Sequence, residues 1–293
     1  MTTPASVAVV TGASGYLGSR ICASLESRGW QVVRFVRTPS GGDGREVAYD
    51  LAAPISAEAM GVLHSADVLV HAAYDLALTR PLDIWRVNVE GTHRLLDAAG
   101  DARLRRILVL SSMSAFEGTT QLYGRAKQDI EAMTEASGAC AVRPGLVFGP
   151  RPGGMAGALR KLTKLPIVPV IAGGSGLFTV REDDLMAAIL ALAEAETLRP
   201  GSISVANKTP VMLSDLLKAL ASQDGRPFRA IRIPWQLVFY LLRTAEVFRV
   251  RLPFRADSTL GLVRTAPCPS DDGLLTGLGV TLHAFSLEPS DGG

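Results

Sequence analysis

The chain has 293 residues, 47% hydrophobic and 20% charged, with a formal net charge of +2 and a pI near 8.5. Those values describe an ordinary globular protein of one large domain or two modest ones, and they fall short of the basic footprint of a nucleic-acid binder. Three cysteines (Cys22, Cys140, Cys268) lie far apart and the four histidines are scattered, which argues against a disulfide framework or a structural metal and for a reducing compartment.

Residues 7–10, Val-Ala-Val-Val, form a short apolar run of the kind buried in parallel sheets. The run is too short for a signal-peptide core and residues 1–6 carry no basic segment, so a cytoplasmic location is expected. Glycines at 12, 15 and 18 follow, then a helical pattern through Leu17, Ile21 and Leu25 that Gly29 ends. With a second strand at 31–36, this makes a βαβ unit. Strands are predicted at 66–71, 106–110 and 140–143, the last stopping at Pro144-Gly145, and helices at 83–99 and 122–137. The alternation predicts an α/β fold, a Rossmann-type doubly wound parallel sheet with its ligands at the carboxyl ends of the strands.

After Pro144 the character changes, with Gly/Pro-rich loops at 149–157 and 173–176, a helix at 183–195 and a strand at 202–206. The expected division is a nucleotide-binding domain over 1–145, to which 178–207 returns. A smaller C-terminal substrate-binding lobe would comprise 146–177 and 208–293. Residues 234–251 are strongly apolar, broken by Arg243, Glu246 and Arg249. They read as a helix burying a wide face in that lobe, with a helix lying on a membrane surface as the alternative. No run reaches eighteen apolar residues, so no spanning segment is expected.

The stretch Tyr123-Gly-Arg-Ala-Lys127, with Ser111-Ser112 upstream, carries the chemistry. Residues four apart share one face of a helix. A cation about 4 Å from a phenol, at an effective dielectric of about 20, is worth roughly 4 kcal/mol and favours the phenolate. Tyr123 could then act as a general acid or base near neutral pH. The competing reading is a solvated helical face.

The ordered set of motifs resembles the extended short-chain dehydrogenase/reductases, the NAD(P)-dependent epimerase/dehydratase branch. Thr11-Gly12-Ala13-Ser14-Gly15-Tyr16-Leu17-Gly18 is similar to its T-G-x-x-G-x-x-G, Asp50-Leu51 to its D-L step, and His71-Ala72-Ala73 to its H-x-A. Asn88 to Thr92 resembles N-V-x-G-T, and Arg143 to Pro150 resembles R-P-x-x-V-Y-G-P. The resemblance implies Ser112, Tyr123 and Lys127 as the catalytic set, Ser112 because it stands four before Phe116, with Ser111 and Ser114 as alternatives to it. Tyr123 would exchange a proton with the substrate oxygen, Ser112 would hydrogen-bond that oxygen, and Lys127 would hold the nicotinamide ribose and lower the Tyr123 pKa. It implies cofactor contacts at Gly12, Ser14, Gly15, Tyr16, Leu17, Arg37, Asp50, Leu51, His71, Ala72, Ala73, Tyr123, Lys127 and Pro144. For His71, a structural role at the strand end competes with direct contact, and Asn88 and Asp184 are expected to be structural hydrogen-bonding positions.

An NAD-preferring site usually carries a carboxylate at the end of the second strand; here Val36 is followed by Arg37, with Arg34 nearby. Arg37 could take a 2′-phosphate in a fork, which favours NADP over NAD, or it is a solvated strand end. The implied function is an NAD(P)-dependent ketoreductase or alcohol dehydrogenase. Its small-molecule substrate would be a nucleotide sugar, met by Arg151, Arg160, Lys161 and Lys164, or a hydrophobic ketone, met by Trp235, Phe239, Tyr240, Phe248 and Phe254. Those charges could equally be solvated, and those aromatics core or an oligomer contact. The alternatives are a nucleotide-sugar 4-epimerase with retained NAD and a non-catalytic NAD(P)-binding sensor or assembly protein. Only ten residues separate Ser112 from Tyr123, Phe116-Glu117-Gly118 replaces a Tyr-Gly step, and Met113-Ser114 stands where dehydratases carry an acidic pair. These departures count against an epimerase and, more heavily, a dehydratase. A homodimer is expected from the family's habit of pairing through helices of the nucleotide domain.

Overall fold

The computed structural model describes residues 6–42, 45–174, 176–248, 250, 254–264, 266–270 and 273–286. The chain opens with β1 (Val7–Thr11), α1 (Tyr16–Ser27), β2 (Gln31–Val36), β3 (Glu46–Ala48), α2 (Ala57–Ser65) and β4 (Val68–His71). It continues through α3 (Pro81–Ile84), a π-helical turn (Trp85–Val89), α4 (Glu90–Asp101), β5 (Ile107–Leu110), α5 (Leu122–Ala136) and β6 (Cys140–Pro144). With β10 (Gly201–Val205), these strands form one seven-stranded sheet in the order β10-β6-β5-β4-β1-β2-β3, parallel throughout. The chain direction of travel across the sheet reverses between β1 and β4, which places the ligand crevice at their carboxyl ends.

A parallel sheet covered on both faces needs strands that are apolar on both sides, and every residue of β4 and β5 is buried. Val68 and Val70 join Ile21 and Leu25 of α1 and Leu185 and Ile189 of α7 (Glu182–Glu194) in one core. Leu69 points the other way, into a second core with Leu63 of α2, Leu95 of α4 and Ile130 of α5. The predicted single helix over 83–99 is instead interrupted by the π turn. Asn88 lies in that turn, and its side chain bonds both the N–H (2.7 Å) and the carbonyl (3.3 Å) of Asp75. The widened turn pins the loop that follows β4, a use consistent with where such bulges occur.

The remaining elements build the smaller lobe. β7 (Leu146–Phe148) pairs with β9 (Thr179–Arg181), and β8 (Val168–Ala172) with β11 (Ala230–Pro234). Leu159 of α6 (Gly154–Leu162), Leu216, Leu217 and Leu220 of α8 (Leu213–Gln223) and Leu262 of α10 (Ala256–Val263) pack on Val168 and Val170. A short helix, α11 (Leu274–Gly277), comes last.

One expectation fails here. The apolar segment 234–251 does form a helix, α9 (Trp235–Val247), but it buries none of its residues completely. It rests on α10, β8 and β11, and a two-stranded sheet is too narrow to enclose more than one side of it. Tyr240 and Leu241 each stay 66% exposed. Arg249 and Arg251, at the predicted end of the segment, lie outside the described residues. Among the described residues no helix is long and apolar enough to cross a membrane.

Candidate active site

The amino end of α5 carries Tyr123 and Lys127 to the sheet edge, beside the loop that leaves β5 at Ser111. Gly124 permits this approach, since a Cβ there would lie 2.3 Å from the Ser114 carbonyl oxygen. Ser112, on that loop, lies near enough to the Tyr123 hydroxyl to lower its pKa, and the Ser112 hydroxyl accepts the Ser114 N–H at 3.1 Å. Pro144, the last residue of β6, accepts the Met113 N–H at 3.2 Å and ties the serine loop to the neighbouring strand.

Lys127 is buried, and its ammonium donates to the Leu110 carbonyl at 2.6 Å. It lies 4.6 Å from the centre of the Tyr74 ring and 6.0 Å from that of Tyr123; Tyr74 and Tyr123 meet edge-on, 5.1 Å apart. The expected electrostatic activation of the phenol is therefore corrected. Burial pushes the Tyr123 hydroxyl up to about 12, against a smaller downward pull from Ser112. Burial also brings the Lys127 ammonium down to about 7, with Glu131 opposing. Burial is the largest influence on the phenol, while the ammonium is directed at a backbone carbonyl and the Tyr74 ring. The phenol is left protonated, the form a proton donor requires.

Beneath Lys127, one helical turn further along α5, Glu131 accepts from the Ser111 hydroxyl and from Arg143 Nε (2.8 Å) and Nη2 (2.5 Å). At the front of the same helix, Asp257 of α10 accepts the N–H groups of Leu122 (2.8 Å) and Tyr123 (3.1 Å). Neither acid was singled out from the sequence. Glu131 was legible in principle as a carboxylate four residues after Lys127; Asp257 was not, being more than 130 positions distant. Tyr74, just past the Ala72-Ala73 step, was missed as well.

The glycine-rich turn fits a dinucleotide. A Cβ on Gly18 would sit 2.1 Å from the Gly12 carbonyl oxygen, and Gly12 itself (φ +64°) packs against the Ala73 backbone. Ser14 and Gly15 are exposed, and no side chain caps α1 at Gly15, so the opening N–H groups of the helix are offered to an anion. Gly18→Ala should abolish measurable dinucleotide binding and lower the thermal midpoint, since the overlap forces the turn away from α1; calorimetric titration with NAD and NADP checks it. Leu17 packs on the core, whereas the Tyr16 phenol donates to Glu182 Oε2 at 2.5 Å. That carboxylate also pairs with Arg20 at 3.0 Å.

Arg37 is exposed just beyond β2, and Asp50 lies just beyond β3, its carboxylate accepting the Ala52 N–H at 2.8 Å. Leu51 is buried, its carbonyl taken by Arg94 at 2.5 Å. Arg34 is engaged by Glu26 at 2.5 Å, which leaves Arg37 as the predicted arginine facing solvent at this edge.

His71 is a strut. Its Nδ1 meets the Thr11 hydroxyl at 2.7 Å and its Nε2 the Thr92 hydroxyl at 2.9 Å. Thr11 Oγ1 accepts the Ala73 N–H and Thr92 donates to the Asn88 carbonyl, so the relay is satisfied by a neutral ring protonated on Nε2. Burial holds the ring down to about 3, with Lys127 acting in the same sense. An unfolded histidine titrates near 6.5. The stability contributed by the neutral ring is thus complete above about pH 6.5 and is lost as pH falls toward about 3. Between pH 6.5 and 5 the loss amounts to roughly 2 kcal/mol. Urea unfolding at the two pH values should show it, and His71→Gln should flatten that dependence. Asp184, also anticipated as structural, accepts from the backbone N–H and ring of His283 at 2.7 and 2.8 Å.

Residues 8–203 match the family described as the NAD dependent epimerase/dehydratase family. The chain belongs to that family. A ceramide reductase of Caulobacter vibrioides (strain NA1000 / CB15N) is 28% identical over 237 residues, covering 78% of this chain and 74% of that protein. Among solved structures, gox2253 aligns with a TM-score of 0.72 at 22% identity, over 94% of this chain and 93% of that one. MoeE5 in complex with UDP-glucuronic acid and NAD aligns with a TM-score of 0.64 at 23% identity, over 93% and 96%. Fold and family make this protein an NAD(P)-dependent enzyme of the oxidoreductase or epimerase kind.

Proposed function

We propose that the protein is an NADP-dependent ketoreductase for an apolar ketone, with Tyr123 as the proton donor. The observation that carries this reading is the Tyr123 phenol, kept protonated by burial and packed edge-on to Tyr74, beside the buried Lys127 and the loop that bears Ser112. A nicotinamide dinucleotide, when bound, supplies the hydride. Ser112 would hold the substrate oxygen and steady its developing charge, and Tyr123 would give that oxygen its proton. Lys127, released from the Leu110 carbonyl, would hold the ribose hydroxyls. Gly12, Ser14, Gly15, Leu17 and the Ala72-Ala73 step would line the dinucleotide, with Asp50 and Leu51 near its adenine and Pro144 near its nicotinamide. Tyr16 would close the turn from the side, through Glu182, and His71 would act through the strand ends it braces.

An apolar substrate is favoured over a nucleotide sugar on two grounds. The homologous ceramide reductase is named for a lipid, and Arg160, a candidate diphosphate ligand, is already bound bidentately by Asp224. Phe254 packs into the smaller lobe's core, while Tyr240 and Phe248 remain exposed. A cytoplasmic location accords with reduction by NADPH.

The test is NADPH oxidation with a panel of long-chain ketones, run beside nucleotide sugars. Net oxidation with the ketones supports the reading. Stoichiometric NAD retained through purification, with interconversion of two sugar epimers and no net oxidation, would replace it with a nucleotide-sugar 4-epimerase. Cofactor choice has its own check. Arg37→Ala should weaken NADP about 10–100-fold, the worth of a charge-assisted fork, and leave NAD within about twofold.

A further inference from the structure

We infer that α9 and the strand before it form a docking surface for an anionic lipid bilayer. The inference stands on the surface alone, independently of what the catalytic site reduces.

Exposed large apolar side chains are unevenly distributed. Among the described residues ten large apolar side chains are at least 54% exposed, and seven of them, Ile231, Leu237, Tyr240, Leu241, Val247, Phe248 and Val250, fall within twenty residues of chain, with Leu76, Leu82 and Ile167 elsewhere. Their helical spacing groups them. At about 100° per residue, Val247, Tyr240, Leu237, Phe248 and Leu241 fall on one arc of α9 that also holds Thr244, with Gln236 and Arg243 along one of its sides. The opposite arc, with Trp235, Val238, Phe239 and Leu242, is partly buried, on the side that packs against α10 and the β8–β11 pair. One apolar arc is thus turned to the protein and a second, largely apolar arc is left facing outward, the mark of an interaction surface.

Charge selects the occupant. Residues 226–250 contain five arginines (226, 229, 232, 243 and 249) and one acid, Glu246, in a chain whose overall formal charge is only +2. Glu246 is turned inward, accepting the Ala256 N–H at 2.9 Å and pairing with Arg243 at 3.3 Å. Arg226, Arg229, Arg232 and Arg243 are exposed, and Lys161 and Lys164 approach the same edge as Arg226. An apolar strip flanked by cations suits acyl chains beneath anionic headgroups. A second copy of this surface would set the arginines against one another.

The experiment is flotation of the full-length protein, loaded with NADPH, with vesicles of phosphatidylcholine alone or with about 30 mol % phosphatidylglycerol. At least tenfold stronger binding to the anionic vesicles is expected, weakened by about 0.5 M NaCl through screening. Leu237→Glu/Leu241→Glu should lose vesicle binding while retaining NADPH binding and turnover of a short, water-soluble ketone. Arg232→Glu/Arg243→Glu should lose only the preference for anionic lipid. No flotation, or flotation that both pairs of substitutions leave intact, overturns the proposal. So does a dimer in solution that the leucine substitutions dissociate, which would assign α9 to a second copy. Because flotation needs no turnover, a failed ketone assay leaves this result readable.

Discussion

Tyr123→Phe should bind NADPH within about twofold of the unsubstituted protein and lose roughly 10²–10⁴ in kcat, the range contributed by positioned proton transfer. The substitution removes one oxygen and leaves the ring packed edge-on against Tyr74, so the fold has no reason to change. The loss should appear in kcat and in kcat/KM alike, since proton donation is confined to the transition state. A Phe variant as active as the parent would remove Tyr123 from the reaction and leave a nucleotide-binding protein without an identified acid. Because burial rather than Lys127 dominates the phenol's pKa, activity should favour the protonated side of its titration in the reductive direction.

Glu131→Gln is expected to have the largest effect on stability. The carboxylate receives Ser111 and both arms of Arg143, and an amide can satisfy only part of that demand while leaving the guanidinium without a counter-charge. A loss of about 2–3 kcal/mol in urea unfolding is expected, below that of a fully buried pair because the Arg143 side chain remains 27% exposed. There is a kinetic signature too. Glu131 supports the charge on Lys127, so its neutralisation should move the basic limb of the pH–rate profile to lower pH. A merely structural role would reduce stability without moving that limb.

The main sheet was legible because its strands are uninterrupted apolar runs at regular spacing. β4 and β5 bury every residue, so 66–71 and 106–110 announced themselves without help from tertiary context. The proposed trio of Ser112, Tyr123 and Lys127 was picked out through local spacing and through order along the chain, and the fold brings the three to one sheet edge. The energetic sign at Tyr123 was not, because it depends on how much water the folded site excludes. The short elements β3, β7, β8 and β11 were missed for a related reason. Three to five residues of mixed exposure carry no clear period, and β11 is exposed at nearly every position. The 234–251 segment misled in the opposite direction. Its apolar content was read correctly as helical, but hydrophobicity alone does not say whether the partner is the chain's own core.

The cap that Asp257 places on α5 has a consequence for the order in which the protein is made. Synthesis proceeds from the amino end, so β1 to β6 and the glycine turn leave the ribosome long before α10 does. Until then the front of α5, where Tyr123 sits, has only solvent for its two leading amides. A nascent chain stalled before residue 257 would hold its glycine turn while the phenol proposed as proton donor still lacked a fixed bearing. Amide hydrogen exchange at Leu122 and Tyr123 in Asp257→Ala, faster than at Ile130 further along the helix, would expose that dependence.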